Sequence, residues 1–293
     1  MRILLTGAEG FTGRHFTERA SAEGHSVIAL RSDLTDSDAL RQEVLEASPD
    51  AVVHLAAISF VGHADEKAFY AVNVVGTTNL LDALARLPAR PQRVLLASSA
   101  NIYGNTAHSP ISEAQPPAPV NHYAMSKLAM EYMARTYEGR LDLVTARPFN
   151  YTGPGQSPSF LIPKLALHFA QRAPAIELGN LDVEREFNDV RMLCDAYLLL
   201  LAHGEPGESY NICTGRPYTL RHVLDTFMRM TSHTPRIEVN PAFVRANEVH
   251  RLCGNPSKLD TLLERHGATL EIPRLEDTLK RMLAAAAVSA LKT

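Results

Sequence analysis

Arg2-Ile3-Leu4-Leu5-Thr6-Gly7-Ala8-Glu9-Gly10-Phe11-Thr12-Gly13 stands at the very start of the chain. Residues 2–6 are a short apolar run, read as a buried strand. The glycines then recur as Gly-x-x-Gly-x-x-Gly, and a helical pattern runs on to about residue 22. Glycine lets the backbone turn sharply after the strand and come close to a pyrophosphate. The N–H groups at the start of the following helix then face that anion. Gly7, Gly10, Phe11, Thr12 and Gly13 are therefore candidate cofactor-binding residues.

The bulk numbers leave room for this reading and close off others. The chain has 293 residues, enough for one large domain or one and a half. Hydrophobic residues make up 45% and charged residues 21%, as in an ordinary globular protein. A net charge of -3 supplies no field to attract nucleic acid or an anionic membrane surface, so neither is expected as a partner. Cys194, Cys213 and Cys253 are odd in number and widely spaced. They make neither a disulfide framework nor a zinc pattern, so no metal is expected, and they fit a reducing cytoplasm. No apolar run reaches membrane-spanning length, and a strand at the first residues leaves no room for a signal peptide. A cytoplasmic protein is the expectation.

Working outward from the glycine turn, residues 26–30 read as the second strand. Its end ordinarily carries an acid for the ribose hydroxyls of NAD. Arg31 and Ser32 stand there instead, and an arginine can pair with a 2′-phosphate. NADP(H) is thus favoured. NAD(H) stays possible, because an arginine stacked on adenine would tolerate both. Asp33 and Leu34 lie in the polar turn that follows, with Asp33 in reach of the adenine. The third strand, 51–55, ends in His54-Leu55-Ala56-Ala57, whose small residues leave space for a ligand over the sheet; His54 itself reads as a satisfied core residue. A helix over 65–85 contains Asn73, which either ties strand ends together or touches the cofactor. The fourth strand, 93–98, runs into Ser99, whose hydroxyl points into the crevice or caps a turn.

Tyr123-Ala124-Met125-Ser126-Lys127 comes next. Four residues apart, Tyr123 and Lys127 share one face of a helix. A phenol ordinarily loses its proton near pH ~10. An ammonium one turn away favours the phenolate and is expected to lower that value. Tyr123 is then a candidate general acid/base. A strand at 142–146 and the turn Arg147-Pro148-Phe149-Asn150 follow. Alternating strands and helices imply an α/β fold, a Rossmann-like doubly wound parallel sheet. The glycine turn, Ser99 and Tyr123 fall on its carboxyl-end crevice.

Taken together, Gly7, Gly10 and Gly13, His54 to Ala57, Asn73-Val74-Val75-Gly76-Thr77, Ser98 to Gly104, Tyr123 to Lys127 and Arg147 to Asn150 resemble the extended short-chain dehydrogenase/reductase family. The nucleotide-sugar epimerases, dehydratases and reductases of that family are the nearest in pattern, and the resemblance covers nearly the whole chain. It implies a catalytic set of Ser99, Tyr123 and Lys127. It implies cofactor contacts at Leu55, Ala56, Ala57, Asn73, Tyr123 and Lys127, beside the glycine turn, Arg31, Asp33 and Leu34. It implies substrate contacts at Ser99, Asn101, Asn150, Arg185, Arg245 and Glu248, with the arginines on phosphates and Glu248 on a ribose. Residues 1–159 plus 188–214 would form an NAD(P)-binding Rossmann domain, and 160–187 plus 215–293 a smaller α/β nucleotide-sugar-binding domain.

Within the family the motifs look closest to GDP-4-dehydro-6-deoxy-D-mannose reductases. Dehydratases of the family use a carboxylate two residues after the catalytic serine or threonine, and the related reductases tend to carry an aspartate there, so Asn101 of this chain departs from both patterns. An amide cannot exchange a proton at neutral pH. Reduction of the C4 ketone of a nucleoside-diphosphate 4-keto-6-deoxy sugar is therefore expected, giving GDP-D-rhamnose if the sugar is GDP-4-dehydro-6-deoxy-D-mannose. The other readings are an NAD-dependent 4-epimerase, a 4,6-dehydratase and a non-catalytic cofactor-binding regulator. Regulators of this kind usually lose the tyrosine or the lysine, and both are present. The helices over 65–85 and 123–137, with Met125, Met130 and Met133, are expected to pair in a homodimer through a four-helix bundle.

Overall fold

The computed structural model describes residues 1–59, 65–243 and 250–290. Its first part alternates strand and helix: β1 (Arg2–Thr6), α1 (Phe11–Ala22), β2 (Ser26–Ala29), α2 (Ser37–Ala47), β3 (Ala51–His54), α3 (Glu66–Tyr70), a π-helical turn (Ala71–Gly76), α4 (Thr77–Ala85), β4 (Arg93–Ala97), a 3-10 turn (Ala100–Tyr103), α5 (His122–Ala134) and β5 (Leu143–Pro148). There follow β6 (Tyr151–Thr152), α6 (Leu161–Ala170), β7 (Ala175–Leu178), β8 (Glu184–Arg185), β9 (Asn188–Asp189), α7 (Val190–His203), β10 (Ser209–Ile212), β11 (Tyr218–Thr219), α8 (Leu220–Thr231), β12 (Arg236–Val239), β13 (Arg251–Leu252), α9 (Ser257–Arg265) and α10 (Leu275–Ala290).

The strands β10-β5-β4-β3-β1-β2 form one parallel sheet, with Ile3 paired to Val27 on one side and to Ala51 on the other. Side chains alternate between its faces. Ile3, Leu5, Val53 and Leu95 pack under α1, α7 and α9, while Leu4, Val52, Val94 and Leu96 pack under α2, α4 and α5. Both faces are covered, which is why these strands are apolar runs rather than alternating ones. Burying each such side chain contributes about 1.5–3 kcal/mol. The chain order reverses between β1 and β3. The turns leaving their carboxyl ends diverge there and open a crevice. This is the Rossmann-like doubly wound sheet that the strand–helix alternation implies.

A separate apolar core lies between α6, α8, α10 and β7, where the Phe169 and Phe227 rings stack at 5.2 Å. The chain leaves the sheet after β5, returns for α7 and β10, leaves for α8, and comes back with α9 before α10 completes this second unit, so the smaller domain is not the whole of 215–293 as expected from sequence. Pairing of β6 with β9 joins the two. So does Asp189, whose carboxylate accepts hydrogen bonds from Thr278 at 2.7 Å and Arg281 at 3.3 Å on α10.

Two elements depart from the sequence expectation. The helix over 65–85 contains a π-helical turn at Ala71–Gly76. Gly76 closes it, and a Cβ there would lie 2.7 Å from the Leu34 Cβ, so only glycine lets this helix settle on the turn after β2. Met130 and Met133, expected on a pairing surface, face the protein's own sheet: Met130 is fully buried and Met133 packs against the same core. Met125 is the exposed one of the three. Among the described residues, no helix is long and apolar enough to cross a membrane. The three cysteines are free and buried.

Candidate active site

The crevice begins at Gly7, which turns the chain with a φ of 71°. A Cβ there would lie 2.8 Å from the Ala56 nitrogen, and one on Gly13 would lie 2.1 Å from the Gly7 carbonyl oxygen. The glycine turn is thus closed against Leu55-Ala56 on one side and the first turn of α1 on the other. Gly10 caps α1 without any side-chain hydrogen bond. The N–H groups at Phe11, Thr12 and Gly13 are therefore not claimed by a capping side chain and suit an anion. These residues fit the pyrophosphate of a dinucleotide. At the far end of the crevice Arg31 is exposed just past β2. Asp33 Oδ1 accepts from the Thr35 N–H and hydroxyl, each at 2.8 Å, and those bonds hold its carboxyl below the usual range. Leu34 is buried under Gly76.

Beneath the crevice runs an ordered hydrogen-bond chain. Thr77 Oγ1 donates to the Asn73 carbonyl at 2.7 Å, so at 2.8 Å it accepts from His54 Nε2. His54 Nδ1 then accepts from Thr6 Oγ1 at 2.7 Å, and Thr6 Oγ1 accepts from the Ala56 N–H at 3.0 Å. His54 is a neutral core residue with both nitrogens satisfied. Burial, with a smaller contribution from Lys127, pushes its pKa down to about 3. Asn73 is fully buried. Its amide is spent on the Ile58 backbone, at 3.0 and 3.3 Å, and on Ser126 Oγ at 2.9 Å. Of the two roles open to it in the sequence, tying chain segments together is the one its geometry fills.

Ser99 sits at the end of β4, with Tyr123 and Lys127 on α5 across the same opening. Asn121 caps α5, accepting from the Ala124 N–H at 2.8 Å, and so fixes where the helix starts. Ser99 Oγ accepts from the Asn101 backbone N–H at 3.2 Å and from Asn101 Nδ2 at 3.0 Å. Side chains alternate along a strand, so continued strand would set Asn101 on the same face as Ser99. In fact Ser99 caps a 3-10 turn, and that turn folds Asn101 back onto the serine.

Lys127 is 3% exposed, and its Nζ donates to the Ala97 carbonyl at 2.7 Å. Burial lowers its pKa to about 8, with Glu131 acting the other way. Burial likewise pushes Tyr123 up to about 12, against a hydrogen bond from Ser99 that lowers it; the nearby Tyr151 raises it further. The expectation that Lys127 lowers the Tyr123 pKa is therefore not met in the chain by itself. Desolvation of the phenolate dominates, and the ammonium is directed at Ala97.

Two groups at the site were missed from sequence. Tyr151 Oη shares a 2.9 Å hydrogen bond with Thr12 Oγ1, and its ring stacks on Phe11 at 6.2 Å. No spacing marks this residue, since it meets the glycine turn only through the fold. Glu131 pairs with Arg147 through contacts of 3.0 and 2.6 Å, both side chains being almost fully buried. Here a signal existed, because Glu131 continues the Tyr123, Lys127 spacing by one more helical turn.

The substrate-side candidates are less gathered. Asn150 is exposed just past β5, and its carbonyl accepts from the Asn188 N–H at 2.9 Å. Arg185 donates to the Glu184 and His250 carbonyls at 2.9 and 3.1 Å. Arg245 and Glu248 lie outside the described residues. Among those described, no group of three or more His, Cys, Asp or Glu could hold a metal ion.

A parallel sheet with a glycine turn at its switch point and a serine, a tyrosine and a lysine beside it defines a Rossmann-like protein of the extended short-chain dehydrogenase/reductase class. The chain belongs to the NAD dependent epimerase/dehydratase family, whose model matches residues 3–213. It is 36% identical over 268 residues to GDP-6-deoxy-D-talose 4-dehydrogenase from Aggregatibacter actinomycetemcomitans, covering 90% of this chain and 91% of that protein. It is 37% identical over 275 residues to GDP-6-deoxy-D-mannose reductase from Pseudomonas aeruginosa, covering 88% and 89%. The solved structure of RMD from Pseudomonas aeruginosa complexed with NADPH superposes with a TM-score of 0.89 at 32% identity, covering 98% of this chain and 99% of that one.

Proposed function

We propose that the protein reduces the C4 ketone of a nucleoside-diphosphate 4-keto-6-deoxy sugar, with GDP-4-dehydro-6-deoxy-D-mannose as substrate and GDP-D-rhamnose as product. The carrying observation is the pair of hydrogen bonds from Asn101 to Ser99. They fill both lone pairs of the serine oxygen, so Ser99 is left with its one proton to donate, to the Tyr123 oxygen in the chain by itself and to the substrate oxygen once a ketone lies between them. A donor at that place stabilises the alkoxide developing on C4. Bound nicotinamide would supply the hydride. Tyr123, protonated at neutral pH because it is buried, would give its proton to the C4 oxygen. Lys127 would hold the cofactor ribose, and its positive charge would favour the phenolate left behind.

Asn101 also separates this reading from dehydration, which needs further proton transfers at C5 and C6. An asparagine orients a hydroxyl and relays no proton. The smaller unit, 160–187 plus 215–293 apart from α9, which packs on the main sheet, would hold the nucleotide, with Arg185, Arg245 and Glu248 on its phosphates and ribose. Arg31 would meet a 2′-phosphate and favour NADPH. Val75, Met125 and Tyr132 are large apolar residues left exposed on the π-helical turn and α5. They support a homodimer paired through these helices.

The test is to offer pure protein and NADPH a panel of nucleotide 4-keto-6-deoxy sugars and follow nicotinamide absorbance. Consumption of NADPH with GDP-4-dehydro-6-deoxy-D-mannose is expected. Formation of a 4-keto-6-deoxy sugar from GDP-mannose would return the protein to the dehydratases. Interconversion of 4-epimers with no net change in cofactor would make it an epimerase.

A further inference from the structure

The end of β2 lacks an acid in sequence, yet the fold supplies one. The Arg31 backbone N–H donates to Glu43 Oε1 at 2.9 Å, and the Ser32 N–H donates to Oε2 at 2.7 Å. One carboxylate thus spans two successive amides, a backbone arrangement that binds anions. Glu43 comes from α2. Its neighbours on that helix, Leu40 and Val44, are fully buried against the sheet, so the carboxylate is placed by core packing and not by a loop. Burial pushes its pKa up, but the hydrogen bonds from Ser32 and Arg31 and the Arg31 charge hold it below the ordinary carboxylate range. It is ionised at neutral pH.

In a doubly wound sheet this strand end is where the 2′ position of a bound adenosine is read. We propose that Glu43 is a specificity-determining residue for that position: its carboxylate fills the backbone anion site that a 2′-phosphate would take, and so opposes the preference that Arg31 creates. A 2′-phosphate brings about -1.5 to -2 charge at pH 7. Set beside Glu43 it meets a like charge and competes for the same two N–H donors. A free 2′-hydroxyl is a donor and can hydrogen-bond the carboxylate where it stands. The choice between NADPH and NADH is then a balance between one arginine and one glutamate, twelve residues apart in sequence.

This inference rests on the proposed nicotinamide-dependent reading of the site. It is tested by binding rather than turnover. The chain has no tryptophan, so the emission of the reduced coenzymes can be followed without interference from one. Dissociation constants for NADPH and NADH are measured on wild type, Glu43→Gln and Arg31→Ala. Glu43→Gln should shift the affinity ratio toward NADPH by roughly tenfold, the effect of removing one neighbouring like charge. Arg31→Ala should shift it the other way. Glu43→Asp keeps the charge but is too short to span both amides; its ratio should fall between wild type and Glu43→Gln, and it replaces the glutamine variant if that one misfolds. An unchanged ratio in a folded Glu43 variant overturns the role given to Glu43, while Arg31 can still stand. Failure of wild type to bind either coenzyme overturns the nicotinamide reading itself.

Discussion

A phenol held near a pKa of about 12 is fully protonated at neutral pH, the state from which a general acid must start. Tyr123→Phe keeps the ring and removes the proton, so turnover should fall by ~100–10,000-fold. Coenzyme affinity, measured by fluorescence titration, should barely change. Near-normal turnover in that variant would exclude Tyr123 as the acid. Asn101 offers a sharper test. Asn101→Ala removes a donor to Ser99 and a group that can orient a sugar hydroxyl. Substrate KM should rise more than kcat falls, the signature of lost uniform binding. Should the alanine variant match wild type in both constants, the hydrogen-bond argument for Ser99 fails. Ser99, Tyr123 and Lys127 were all legible in sequence because motif spacing carries them. The contact between Asn101 and Ser99 was not, since it depends on a 3-10 turn in place of continued strand.

At the scale of elements, α5 is fastened to β5 by the Glu131–Arg147 pair, with Tyr103 Oη 2.9 Å from the guanidinium. Lys127 sits one turn before Glu131, so the pair also sets the height of the lysine against Ala97. Breaking a buried pair leaves an uncompensated charge and costs ~3–5 kcal/mol. Glu131→Gln should lose that much in urea unfolding; a loss below about 1 kcal/mol would mean that the pair is not a fastening. The His54 chain joins β1, β3 and the π-helical turn in the same way. Its imidazole has a folded pKa of about 3 against an ordinary 6.5. Above 6.5 both folded and unfolded states are neutral there, and His54 gives stability no pH dependence. Below 6.5 the unfolded chain takes up a proton that the folded chain refuses. Stability from this group therefore falls as pH drops from 6.5 toward 3, by about 1.4 kcal/mol per pH unit. In His54→Gln the denaturation midpoint should fall less steeply over that window, and an identical slope would show that the imidazole is not the group refusing the proton.

For the molecule as a whole, the dimer proposal concerns side chains that the fold leaves in water. Val75 is 52%, Met125 43% and Tyr132 53% exposed, and a second copy seated on these helices would cover them. Light scattering should report twice the monomer mass at micromolar concentration, and Tyr132→Glu should return the monomer. A wild-type monomer would remove the proposal. The two apolar cores, one around the sheet and one between α6, α8 and α10, are joined at β6, β9 and Asp189. Nothing in the local pattern marks that joint.

Local pattern determined β1, the glycine turn, α1 and the helix bearing Tyr123. Each depends on properties a few residues carry by themselves: the backbone freedom of glycine, the apolar run of a strand buried on both faces, and the 3.6-residue turn that brings Tyr123 and Lys127 to one side. The state of those groups was decided only in three dimensions. Desolvation raised the Tyr123 pKa where the neighbouring ammonium was expected to lower it. Packing directed Lys127 to Ala97 and drew Met130 inward. The acid absent from the end of β2 arrived as Glu43 from α2. These are long-range effects of burial and approach, and a linear pattern holds no record of which distant groups will share a low-dielectric space.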